Sequence, residues 1–143
     1  MKNDPLVKEV TIDAPVFKVW QAITDKVEMK NWYFELAEFK PEVGFEFHFT
    51  GGSEEKTYLH FCKIKELVPN KKLSYSWRYE NYPGDSLVTF ELFEEGHKTR
   101  LKLTHEGLET FTTDNPDFAK ESFTEGWNYI IGKSIKEYLE RES

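Results

Sequence analysis

The sequence predicts an α+β domain made of one antiparallel sheet and one long helix, and three observations carry that prediction. Between Val43 and Gly107, apolar and polar residues alternate with period two in five short runs separated by turn residues. The segments on either side have helical spacing instead. The C-terminal one is long enough to cross a sheet.

The first element is a strand over residues 6–12, with Val10 and Ile12 on one face, stopped by Asp13-Ala14-Pro15. Proline favours the first position of a helix, and Val16, Val19, Trp20 and Ile23 follow Pro15 at helical spacing. A second short helix is expected over residues 25–32. Phe45, Phe47 and Phe49 then alternate with Glu46, His48 and Thr50 up to Gly51-Gly52, and residues 57–67 form the next strand, closed by Pro69-Asn70. Leu73, Tyr75, Trp77 and Tyr79 alternate with Ser74, Ser76 and Arg78 as far as Pro83-Gly84. Val88, Phe90 and Leu92 alternate with Thr89 and Glu91 as far as Glu95-Gly96. Leu101, Leu103 and His105 alternate with Arg100, Lys102, Thr104 and Glu106, and Gly107 ends the series. Consecutive strands with short turns form an antiparallel meander, here with one apolar and one polar face.

In the last segment Asp114 or Asn115 can cap, Pro116 can take the first helical position, and Phe123, Trp127, Ile130, Ile131, Ser134 and Tyr138 make one stripe. A helix over residues 116–141 is about 39 Å long. A curved sheet with one apolar face buries it by wrapping around such a helix.

The 143 residues and 17.0 kDa fit a single domain spanning residues 1–143. Aromatic residues reach 16% of the chain, with 12 Phe, 7 Tyr and 4 Trp. No apolar run exceeds three residues and mean hydropathy is -0.65, so a membrane span is not expected. A net charge of -7 with scattered Lys and Arg argues against nucleic acid and against an anionic membrane surface. The N-terminus has no apolar signal core and Cys62 has no partner for a disulfide, so the expected location is cytoplasmic.

Motifs for nucleotide, dinucleotide, zinc-protease and serine-hydrolase chemistry are absent, and no pattern calls for a cofactor. Two constellations remain. A symmetric hairpin around Ser53 to Glu55 sets His48 opposite His60 and Glu46 opposite Cys62, a donor set that suits zinc if the four share a face. The competing reading is an ordinary solvent face, where polar residues alternate by default. His105 falls on the apolar face at a strand end, either as a general base or ligand-orienting group, or as a core-edge histidine paired with protein groups. Gly126 and Gly132 interrupt the helix at about 1 kcal/mol each. They allow either close approach to the sheet or space for a guest beside Trp127.

The order of these elements meets specific residues. Ala14-Pro15-Val16-Phe17-Lys18-Val19-Trp20 continuing to Ala22-Ile23-Thr24, then Ser76-Trp77, Ser86-Leu87-Val88-Thr89-Phe90-Glu91-Leu92, Thr99-Arg100-Leu101-Lys102-Leu103-Thr104-His105-Glu106-Gly107 and Gly126-Trp127, resemble the START-like (SRPBCC, Bet v 1-like) superfamily. Within it they resemble the Aha1-type branch, named for the C-terminal domain of the activator of heat-shock protein 90 ATPase. The resemblance implies a helix-grip fold with a cavity between sheet and helix, and relatives that bind lipids, sterols or polyketides, a few of them cyclases. Where that branch usually has a Trp-Trp pair, this chain has Trp32-Tyr33-Phe34.

The leading expectation is a non-enzymatic protein that binds a small hydrophobic or aromatic molecule. Its cavity would be lined by Phe47, Phe49, Phe61, Trp77, Tyr79, Phe90, Leu103, His105, Trp127 and Ile131, with Trp32 and Phe34 near the entrance. The same residues can instead be plain core. The alternatives are a protein-interaction module for a chaperone or another protein, with a stress-response role, and a cyclase or hydrolase using His105 and tyrosines such as Tyr79.

Overall fold

A computed structural model describes residues 5–33, 38–52, 57–80, 82, 84–111 and 120–142. Strand β1 (Leu6–Ile12) leads into helices α1 (Val16–Thr24) and α2 (Lys26–Trp32). Strands β2 (Glu46–Gly52), β3 (Thr57–Val68), β4 (Lys72–Tyr79), β5 (Ser86–Glu95) and β6 (Lys98–Glu106) form the meander. The chain ends in a continuous helix of three parts: α3 (Lys120–Tyr129), a π turn (Ile130–Ser134) and α4 (Ile135–Glu142).

All five strands of the expected meander are present. The sixth, β1, adds to the far side of β6, giving one antiparallel sheet in the order β1-β6-β5-β4-β3-β2. Its pairing runs from Leu6 with His105 to Ile12 with Thr99. Pro15 caps α1 rather than opening it, and Asp25 caps α2, its carboxylate accepting from the Val27 N–H at 2.9 Å. The cap positions expected at Asp114, Asn115 and Pro116 lie outside the described residues. At the β4–β5 turn Gly84 has φ +112, and a Cβ there would collide with the Phe111 ring and the Thr110 carbonyl.

The buried face of the last helix is Phe123, Trp127, Ile131, Ile135 and Leu139, a strict four-residue spacing. An α-helix turns once per 3.6 residues, so that spacing drifts by about 40° at every step. The wider π turn in the middle takes up the drift and keeps the row against the sheet. Gly132 lies within this turn, and a Cβ added there would stand 3.3 Å from the Lys8 side chain on β1, a close approach that glycine relieves. Gly126 is exposed and a Cβ there meets nothing within 4 Å, so close approach to the sheet does not account for it.

The β2–β3 register differs from the symmetric hairpin by one residue: Phe47 pairs with Cys62, His48 with Phe61 and Phe49 with His60. A one-residue shift turns every β3 side chain to the other face. Tyr58, His60, Cys62 and Ile64 therefore point into the core, while Phe61, Lys63 and Lys65 point out. The proposed zinc donors are split between faces, Glu46 and His48 outside, His60 and Cys62 inside. Among the described residues no group of three or more His, Cys, Asp and Glu side chains can hold a metal ion.

Candidate functional site

The inner sheet face and the terminal helix bring together most of the rings that the alternation pointed to. Trp32, Phe47, Phe49, Trp77, Tyr79, Phe90, Leu103, His105, Trp127 and Ile131 are all at most 5% exposed. Phe34 lies outside the described residues. Phe61 is a correction: it stands on the outer face with the Arg78 guanidinium 4.9 Å above its ring. Its neighbours of the same parity, Lys63 and Lys65, are the sequence signal for that outward face.

The rings touch one another. Phe47 meets Tyr75 at 5.2 Å between centroids, Phe49 meets Trp77 at 5.6 Å, and Trp77 meets Trp127 at 5.6 Å. Phe90 meets Trp127 at 6.2 Å and Trp32 at 6.5 Å. These edge-on and tilted contacts are the favoured geometry for aromatic pairs. No gap separates Trp77 from Trp127, so at that point the rings fill the space they share.

His105 ties three strands and the helix into one chain of hydrogen bonds. An indole N–H can only donate, so Trp127 Nε1 gives its proton to His105 Nδ1 at 3.0 Å. The imidazole proton then sits on Nε2 and goes to Ser86 Oγ at 2.8 Å, and the Ser86 hydroxyl donates to the Trp77 carbonyl at 2.8 Å. Burial lowers the His105 pKa to about 3, so the ring is neutral. Both nitrogens are used by protein partners. The general-base reading needs one of them turned toward a substrate, and the structural reading of His105 is the one this geometry fits.

Three residues of the inner face, His60, Tyr75 and Cys62, were not in the expected cavity lining, although parity already turned Tyr75 inward. His60, expected outside, stacks on Phe49 at 4.5 Å and donates from Nδ1 to the Tyr58 carbonyl at 2.9 Å. Burial lowers its pKa to about 4, against the opposing pull of the backbone groups of Tyr58 and Phe49. Tyr75 is fully buried, and its hydroxyl lies 2.7 Å from that of Tyr33. Burial raises both phenol pKa values, with the neighbouring tyrosine and Cys62 adding to the Tyr33 shift, so the pair is neutral. Burial likewise pushes the Cys62 thiol far up, which leaves it a small apolar residue rather than a nucleophile.

Tyr33 follows the last residue of α2 and stacks on Trp32 at 5.0 Å and on Trp127 at 6.3 Å, with interplanar angles of 25° and 17°. The two indoles are pinned by their own N–H groups, Trp32 Nε1 donating to the Ala22 carbonyl at 2.9 Å and Trp127 Nε1 to His105. The Ser134 hydroxyl, in the π turn, donates to the Trp32 carbonyl at 2.7 Å and fixes the end of α2 against the helix. On the opposite sheet face, a groove of about 460 Å³ among His48, Phe61, Lys63 and Arg78 is lined by charged groups and suits an apolar guest poorly.

A family model described as "Activator of Hsp90 ATPase homolog 1-like protein" matches residues 13–140. No curated protein matches the sequence significantly. Among solved structures, protein MLL2253 from Mesorhizobium loti is 25% identical with a TM-score of 0.78, the match covering 98% of this chain and 99% of that one. CalU16 from Micromonospora echinospora is 25% identical with a TM-score of 0.72, covering 96% and 77%. DynU16, from the dynemicin biosynthetic locus, is 20% identical with a TM-score of 0.79, covering 98% of this chain and 48% of that one, a likeness of fold.

Proposed function

From the premise that this chain belongs to the activator of Hsp90 ATPase homolog 1-like family, we propose that it binds a small hydrophobic or aromatic molecule between the inner sheet face and the C-terminal helix. The observation that carries this reading is the joined aromatic surface of Trp32, Phe49, Trp77, Phe90 and Trp127, with a few fixed polar groups set in it, among them the Tyr33–Tyr75 hydroxyl pair. Apolar walls with a few fixed polar groups are what small-molecule sites need. The fold is shared with CalU16 and DynU16. Guest binding needs no catalytic residue, which agrees with an imidazole whose two nitrogens are both engaged. We place the protein in the cytoplasm, with Cys62 reduced; no described helix is long and apolar enough to cross a membrane.

Thermal shift and native mass spectrometry against lipids, flavonoids and polyketides test this reading. A guest that binds only the folded state stabilises it by RT ln(1 + L/Kd) at free guest concentration L, so the melting temperature rises with the logarithm of that concentration above Kd. No shift and no co-purifying compound across the panel would overturn it.

A second reading has one observation in its favour. Phe17 and Val27, on consecutive helices, are 59% and 58% exposed and offer apolar surface to a protein partner such as a chaperone. An unchanged ATPase rate of purified Hsp90 at saturating concentrations of this protein would remove it.

A further inference from the structure

Tyr33 has the wrong position for an ordinary core residue and the right one for a stand-in. It caps α2 instead of lying within it, its backbone N–H returning to the Met29 carbonyl at 2.7 Å. The residue as a whole is half-buried, yet its ring lies nearly parallel to two indoles that are only 3% and 2% exposed. Phe49 closes a further side at 5.7 Å. The hydroxyl reaches the fully buried hydroxyl of Tyr75. Walls held by hydrogen bonds to Ala22, His105 and Ser134 thus surround a ring whose backbone lies just beyond a helix end.

We infer that the Tyr33 side chain occupies the guest site, and that the guest is a planar aromatic molecule bearing a hydroxyl group, which replaces the Tyr33 ring against Trp32 and Trp127 and takes over its hydrogen bond to Tyr75. The inference rests on the reading that the chain binds an aromatic guest at this face. Rotation of the Tyr33 side chain vacates the slot without unwinding α2. The shape left is that of a phenol, flat faces against indoles and one oxygen at Tyr75. A long acyl chain matches neither feature. Stacking supplies the larger part of the affinity and the single hydroxyl contact supplies the discrimination.

The test compares 2-naphthol with naphthalene by titration calorimetry on the wild-type protein, Tyr33→Ala and Tyr75→Phe. Removing the resident ring removes a competitor, so 2-naphthol is expected to bind Tyr33→Ala about tenfold or more tighter than wild type, a gain of about 1.4 kcal/mol. Wild type is expected to prefer 2-naphthol over naphthalene by roughly 2- to 13-fold, the range of one net hydrogen bond, and Tyr75→Phe to lose that preference. Equal affinity of wild type and Tyr33→Ala for 2-naphthol overturns the inference, as does a preference for the hydroxyl that survives in Tyr75→Phe. Tyr75→Phe keeps the ring and so decides the matter even if Tyr33→Ala does not fold. If neither naphthol nor any lipid, flavonoid or polyketide binds any form, guest binding itself is refuted; if lipids bind and naphthol does not, only the resident-ring inference is.

Discussion

Acidification from pH 7 to pH 5 is expected to cost this protein about 4 kcal/mol of folding stability. Two buried imidazoles set the size of the effect. In the folded chain burial holds the His60 pKa at about 4 and the His105 pKa at about 3, against an ordinary value of 6.5. The unfolded chain takes up both protons as pH falls through 6.5, whereas the folded chain stays neutral at both rings until about 4 and about 3. The contribution of these groups is therefore fully present above pH 6.5 and is lost as pH falls below it. Each ring costs about 1.4 kcal/mol per pH unit, so two rings over roughly 1.5 units give about 4 kcal/mol. Urea unfolding followed by tryptophan fluorescence at pH 7, 6 and 5, at constant ionic strength, measures the difference directly. His60→Phe is expected to retain only about half of the dependence. A loss below about 1 kcal/mol, or a dependence unchanged in His60→Phe, would refute the neutral, buried placement of these rings.

Other expectations follow from the same geometry. Trp127→Phe keeps a ring but strands His105 Nδ1 without its donor, and is expected to lower stability by about 1–3 kcal/mol in calorimetric unfolding. Combining it with Ser86→Ala should give less than the sum of the single losses, since both changes break one hydrogen-bonded chain. Phe61→Ser, on the outer face, is expected to cost under about 1 kcal/mol, while Phe49→Ser costs roughly 3–5 kcal/mol, and chemical denaturation of the two variants tests the β2–β3 register. Equilibrium dialysis is expected to find no stoichiometric zinc, because Glu46 and His48 are on the other sheet face from His60 and Cys62.

The meander was legible because every strand but β3 alternates cleanly and the runs end at Gly51-Gly52, Pro69-Asn70, Pro83-Gly84, Glu95-Gly96 and Gly107. The inward set of β4, from Leu73 to Tyr79, follows from parity alone. β3 defeated that logic: its inward row includes His60, and its outward row includes Leu59 and Phe61, so composition pointed to the wrong face. The register that settles the face is a property of the pairing with β2, which alternation within one strand does not encode. Two lysines of the same parity as Phe61 were the better guide. His105 could be placed on the apolar face, but its role could not, since its partners Ser86 and Trp127 are 19 and 22 residues away. Tyr33 carried the least signal of all. It stands at a helix end within an aromatic triplet, and only tertiary packing against Trp127 and Tyr75 gives it a place in the site.

Four tryptophans make the central claim, guest binding at the inner aromatic face, directly observable. Trp32, Trp77 and Trp127 line that face, while Trp20 on α1 packs against the core from outside and, among the described residues, makes no ring contact with them. In nitrogen-15 correlation spectra with a saturating flavonoid such as naringenin, the indole N–H signals of Trp32, Trp77 and Trp127 are predicted to shift while that of Trp20 stays in place. Shifts confined to Trp20, or no indole shift with any bound compound, would contradict the account.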